Sequence, residues 1–374
     1  MQGHTGSFLV LSCVVVSCSF WLSGCMSGAN DVEWSTKSQS VLQDGPQELN
    51  VPPQQLEALA IETADQRGFR AVAIDLLYQA SQSEHALLRA HAMEATHGAP
   101  ASAEVILAGG LADPNRGVRF SAAMTAGDLA LADLVPLLEL LLHDASYSVR
   151  AAAAYALVKI GQDVDLTFLA EMLFSGNPEL KANAAMVLGR LGNKSAIPLL
   201  KKAIGSGLNG VDPARARVVE MQVAEALVEL GSLAELQAIH AALFAPSEQG
   251  ELKALACQIC GRLRDRAAYS TLMVLAIRTN QQQEAPEIRL LATEAIALIE
   301  PAETPTEVAI GYLGDPTPSL RALAALTLGS SGDLSLIPQL ALLMQDENPS
   351  VQVAAATAIL RLPVPAKRLE VAIP

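Results

Sequence analysis

Three groups of residues in this 374-residue chain could do chemistry. Cys257-Gln258-Ile259-Cys260 is a CxxC, the spacing of redox pairs and of half a tetrahedral metal site. Gly205-Ser206-Gly207-Leu208-Asn209-Gly210 is a literal GxGxxG, which cradles a pyrophosphate when a strand precedes it and a helix follows. His85, His91 and His97 cluster, but in steps of six residues they do not share a helical face as ligands four apart would. There is no second CxxC, no HExxH, no P-loop and no nucleophile elbow. No catalytic residue, metal or cofactor is therefore expected, and what remains is to find the elements that position these groups.

The amino terminus has a separate chemistry. Residues 8–22 form an apolar run of fifteen, too short to span a bilayer comfortably and the right length for a secretory signal core. Leu22-Ser23-Gly24-Cys25 follows directly and resembles the lipobox of bacterial lipoproteins, although Met1 to Ser7 supplies no Lys or Arg. That resemblance implies a signal peptide over 1–24, acyl chains of the palmitate type on Cys25, and a body facing the periplasm. Met26 in place of Asp favours the outer membrane. Residues 25–52, rich in Ser, Gln, Asp and Gly, read as a flexible tether that holds the body on the order of 30 Å from the lipid.

Composition then selects the fold class. Hydrophobic residues make up 51% of the chain but aromatic ones only 4%. The apolar content is chiefly Ala and Leu, the usage of closely packed helices and poor material for a sheet. The expected class is all-α. A net charge of −14 disfavours any generalised grip on nucleic acid or anionic lipid.

A periodic register organises the chain. Aliphatic-basic pairs recur at Leu88-Arg89, Val118-Arg119, Val149-Arg150, Leu180-Lys181, Leu252-Lys253, Ile288-Arg289 and Leu320-Arg321, with Val219-Glu220 and Val351-Gln352 in phase. Three residues beyond each phase position stands Ala, with Val223 as the exception, which marks a close helix contact. Eleven beyond it come Gly161, Gly192, Gly231 and Gly332, as residues that end a helix in a left-handed turn. Seventeen beyond come Pro136, Pro198 and Pro338, tolerated in the first turn of a second helix. The spacing predicts about nine units of helix, turn, helix, loop over 84–362, preceded by a helical cap over 53–83 (helices at 53–66 and 69–80) and followed by a tail over 363–374.

The same phase interprets the motifs. Cys257 and Cys260 fall where other units place Ala or Leu in a first helix, so buried apolar thiols are expected, with a disulfide or a metal site as alternatives. The GxGxxG follows a helix and reads as an inserted inter-repeat loop, as do residues 280–284.

The pattern resembles the HEAT repeat, and its Ala-rich short form resembles the HEAT-like repeats of phycobilisome lyases. The resemblance implies an α-α superhelix in which an Asp six residues before the Arg completes a ladder between units. Asp113, Asp144, Asp315 and Asp346 hold that position, with Arg119, Arg150 and Arg321 as partners and Gln352 interrupting the last. It also implies that second helices line a concave face, which would expose Glu139, Glu171, Lys201, Lys202 and His240 to an envelope protein or peptide. The function expected from these readings is a non-enzymatic, lipid-anchored scaffold or assembly factor, monomeric or in a hetero-complex. The alternative is an enzyme or chaperone resembling the bilin lyases.

Overall fold

The computed structural model describes residues 66–278 and 284–363, and every regular element among them is helical. The signal run, Cys25, the tether, the expected helix over 53–66 and the tail beyond Pro363 lie outside the described residues. Helix α1 (Gln66–Ser81) is followed by pairs: α2 (Ala86–Ala95) with α3 (Pro100–Leu111), α4 (Arg116–Asp128) with α5 (Val135–Leu141), and α6 (Tyr147–Ile160) with α7 (Phe168–Leu173). Next come α8 (Pro178–Leu191) with α9 (Ile197–Ala203), α10 (Pro213–Glu229) with α11 (Leu236–Ala242), and α12 (Gly250–Arg262) with α13 (Tyr269–Ile277). The last are α14 (Pro286–Ile299) with α15 (Thr306–Ile310), α16 (Pro318–Ser330) with α17 (Ile337–Leu343), and α18 (Pro349–Arg361) alone. The fold is an all-α stack of HEAT-like helical pairs.

The phase positions do what their residue types dictate. Ala92, Ala122, Ala153, Ala184, Val223, Ala256, Ala292, Ala324 and Ala355 are all fully buried between first helices. Gly161, Gly192, Gly231 and Gly332 all have positive φ, where a Cβ would be strained. Ala130 and Arg264 take the same left-handed turn at φ 52° and 51° without the glycine.

First helices pack side by side on first helices throughout, whereas neighbouring second helices barely touch. The layer with the shorter spacing must lie on the inside of the curve, so the first helices face the centre. Two consequences differ from the expectation. The second helices form the outer rim, not a concave lining, because the small residues that permit close approach are on the first helices.

The second difference is closure. Helix α18 has no second helix after it among the described residues, and α1 takes that place: it packs on α18, continues onto α2, and touches α17 and α3 on either side. Residues 69–80 are thus no terminal cap but the strap that joins the two ends of the described repeat stack into a ring. Arg70 fastens it, donating to the carbonyls of Ile359, Leu362 and Gly98 at 3.0, 3.1 and 3.0 Å and of Leu360 at 3.2 Å. The carbonyls at a helix C-terminus lack intrahelical partners and carry the negative end of its dipole, which suits a guanidinium.

The ladder is present in an altered register. Each Arg reaches forward to the Asp of the next unit: Arg89 to Asp113 at 2.6 Å, Arg119 to Asp144 at 2.8 Å and Arg321 to Asp346 at 2.8 Å. Asp346 therefore keeps its partner despite Gln352. Arg150 and Asp315 do not pair through a carboxylate. Ser175 stands where Arg150 would need an acid, and Arg150 bonds the Asp144 carbonyl and lies over the Tyr147 ring instead. The Asp315 carboxylate caps Thr317 N, while its carbonyl accepts from Arg321. Lysines replace two rungs, with Lys181 bonding Glu220 at 3.0 Å and Lys253 bonding Glu284 at 2.9 Å.

Candidate functional site

The centre of the ring is polar, which the composition does not announce. Acids stand five residues past the phase position at Glu94, Glu225 and Glu294, and charges nine past it at Asp128, Arg190, Glu229, Arg262 and Arg361. Both columns lie in the carboxyl-terminal halves of first helices, on the face turned to the axis.

These groups form three hydrogen-bonded clusters. Glu94 Oε1 accepts from Ser121 Oγ at 3.0 Å, and His97 bonds the Glu94 carbonyl at 2.7 Å and Asp128 at 3.2 Å. Asp128 also accepts from Tyr155 at 2.5 Å and from Arg190 at 3.3 Å. Further round, Arg262 pairs with Glu225 at 2.7 Å, Arg361 with Glu294 at 3.5 Å, and Ser330 donates to Glu294 at 3.3 Å. A cavity of about 340 Å³ lies at the closing seam, lined by Glu94, His97, Ser330, Thr357 and Arg361 among others. Glu94 Oε2 is buried there without a hydrogen-bond partner, as are both ring nitrogens of neighbouring His91.

Burial sets the protonation of this hub. It pushes the Glu94 carboxyl up to about 7 against the pull of Ser121, His97 and Arg361. Burial and then the Glu225 charge push Glu229 up to about 7. Burial drives His91 down to about 4, which keeps it neutral. Burial opposes charge on His97 and Asp128 too, but their mutual hydrogen bond and the neighbouring charges outweigh it, raising the former and lowering the latter. A carboxyl poised near 7 in a cavity can give or take a proton at neutral pH.

The other sequence candidates scatter around the rim. Glu139, Glu171, Lys201 and Lys202 are exposed on α5, α7 and α9 and do not converge. His240 on α11 turns instead to Asp265 and Cys260. Cys257 and Cys260 are buried free thiols whose ionisation burial raises, Cys260 up to about 12. The GxGxxG loop has positive φ at Gly205, Gly207 and Gly210, and the fully buried Lys181 holds it by a 2.8 Å bond to the Ser206 carbonyl. No strand precedes it, so it does not have the dinucleotide geometry.

Sequence comparison agrees with this geometry. Residues 103–175 match the family described as HEAT repeats, and residues 180–206 the PBS lyase HEAT-like repeat. The chain carries HEAT-like repeats. The chain is 30% identical over 142 residues, 37% of its length, to the phycocyanobilin lyase subunit alpha of a Picosynechococcus species. The HEAT-like chain spans only 53% of that relative's length. Among solved structures, Escherichia coli YibA aligns over 68% of this chain and 90% of its own at 15% identity, with a TM-score of 0.29.

Proposed function

We propose that this protein is a non-enzymatic interaction scaffold or assembly factor, lipid-anchored through Cys25 in the bacterial cell envelope, with its ring facing the periplasm. The observation that carries this reading is the closure by α1. A ring tied at both ends has its ordering cost met before any partner arrives, which favours binding by many modest contacts. The rim also offers anchors. Ile204, Phe244 and Ile277 are exposed at or just past the carboxyl ends of α9, α11 and α13, and Phe244 is 74% exposed. These exposed apolar side chains are the candidate anchors of the rim.

Co-purification of tagged full-length protein from detergent-solubilised envelopes tests this. A stoichiometric envelope protein is expected with the wild type and is lost with Phe244→Asp at unchanged melting temperature. Cys25→Ala is expected to move the folded body to the soluble fraction. Recovery of the wild type alone, or a Cys25→Ala protein that still pellets in carbonate, contradicts the reading.

A second reading is a bilin lyase-like enzyme or chaperone. The similarity to the phycocyanobilin lyase subunit favours it, as does the Glu94 carboxyl beside a cavity. That cavity is at the small end of the range for drug-sized ligands, so a tetrapyrrole would extend beyond it. A shifted absorbance spectrum on adding bilin to purified protein supports this second reading, and an unshifted one removes it.

A further inference from the structure

We propose that His240, Cys260 and Asp265 form a binding site for a single zinc-class divalent cation at the joint between the unit of α10–α11 and the unit of α12–α13. A ring nitrogen of His240, Sγ of Cys260 and a carboxylate oxygen of Asp265 all lie within 4.8 Å of one another. No other group of three or more His, Cys, Asp or Glu side chains has this geometry among the described residues.

His240 and Cys260 depart from the repeat, and both departures meet at Asp265. His240 stands where other second helices carry Glu139, Lys201, Met273 or Ala341. Cys260 stands where first helices carry Leu157, Leu188, Leu227, Ile296 or Leu328. Asp265 has a structural task, since its Oδ1 caps Ala267 N at 3.0 Å, as Asp333 caps Ser335 two units later. That task uses one oxygen. The other, Oδ2, faces His240 Nε2. At Asp333 the corresponding neighbours are Ala309 and Leu328, so the capping role alone requires neither the imidazole nor the thiol.

The donor set selects the metal. One sulfur, one imidazole nitrogen and one carboxylate oxygen suit a borderline-soft ion in tetrahedral coordination, whereas magnesium and calcium take oxygen ligands alone. Access fits as well. The Cys260 side is buried, but the His240 side chain is 33% exposed, which opens a path from the rim and leaves the fourth position to water. Cys257, one helical turn earlier in α12, is outside this triad, so the CxxC spacing is not what makes the site.

Cobalt(II) added to the reduced full-length protein tests the assignment, because a thiolate–cobalt bond gives a near-ultraviolet charge-transfer band and tetrahedral coordination gives strong visible bands. Both are expected to saturate at one equivalent and to be displaced by zinc. Cys13, Cys18 and Cys25 are common to every variant, so their contribution cancels in difference spectra. Cys257→Ser is expected to keep the bands, Cys260→Ser to lose the charge-transfer band, and His240→Ala to weaken binding at least ten-fold. His240→Ala changes only a partly exposed side chain, so it remains informative if Cys260→Ser fails to fold. A wild type with no charge-transfer band at one equivalent, or bands that survive His240→Ala undiminished, overturns the proposal.

Discussion

The joints between first helices are of two kinds, and they alternate from α2 to α18, with a further open joint, at Leu360, where α18 meets α2. At Gly127, Gly189, Gly261 and Gly329 an added Cβ would come within 2.7, 2.8, 2.8 and 2.5 Å of the Cα of Ala156, Ala226, Ala295 and Ala358. There the backbones touch, and the polar groups present, Glu229 beside Gly189 and the Tyr155–Asp128 pair beside Gly127, sit at the edge of the contact. At the intervening joints the glycine is replaced by His97, Val158, Val228 or Ala297, the helix ends splay, and the gap admits side chains. Three of those gaps hold Glu94 with Ser121, Glu225 with Arg262, and Glu294 with Ser330, and the seam holds the cavity. Polarity at these three joints thus follows from spacing. A glycine joint gains dispersion contacts and gives no room, while an open joint gives room and must satisfy it with hydrogen bonds.

The sharpest break of this comparison is to place an alanine in each kind of joint. Gly329→Ala forces the Ala358 backbone away and is expected to cost roughly 3 kcal/mol in denaturant unfolding, the upper end for overpacking. Ser330→Ala, one residue on but facing the open gap, removes one hydrogen bond and is expected to cost about 1 kcal/mol. Equal costs would mean that the joints do not differ.

The open joints should also carry a pH signature. Glu94 sits near 7 in the folded ring against 4.5 ordinarily, so between these values the folded chain holds a proton that the unfolded chain has lost. The stability from this group is full below about pH 4.5 and is lost as pH rises through about 7. Glu94→Gln is expected to match the wild type in acid and to exceed it at pH 8 by up to about 3 kcal/mol, read from urea unfolding across the range. A constant difference at all pH values would place Glu94 in water.

A smaller effect distinguishes the turns that follow the first helices. Ala130→Gly relieves a left-handed Ala and is expected to add about 1 kcal/mol, while Gly161→Ala at the equivalent turn loses a similar amount. Paired thermal melts check both signs.

Much of this was legible in the sequence because a repeat exposes each position several times. The Ala column, the turn glycines and the second-helix prolines fixed the pairs, since each type answers a local backbone or packing need. The hub was harder to see because its charges differ from unit to unit. A column reading Glu94, Met124, Tyr155, Met186, Glu225 shows no motif until closure turns it toward one axis. The alternating glycines were visible eight residues past every second phase position, but their meaning depends on which helices face inward. His240 and Cys260 lie twenty residues apart on different helices, and only the fold brings them to Asp265. Closure itself depends on α1 and α18, whose partnership spans almost the whole ring and leaves no local trace beyond Arg70.

Hydrogen exchange of the native full-length protein tests closure most directly, because open solenoids fray at their ends while a ring has none. In a closed ring, the amides of α1 and α18 are protected to a degree comparable with interior first helices such as α8, and Arg70→Ala releases α1 and α18 together. Fast exchange of α1 in the wild type, or release of α1 by Arg70→Ala with α18 still protected, would contradict the ring.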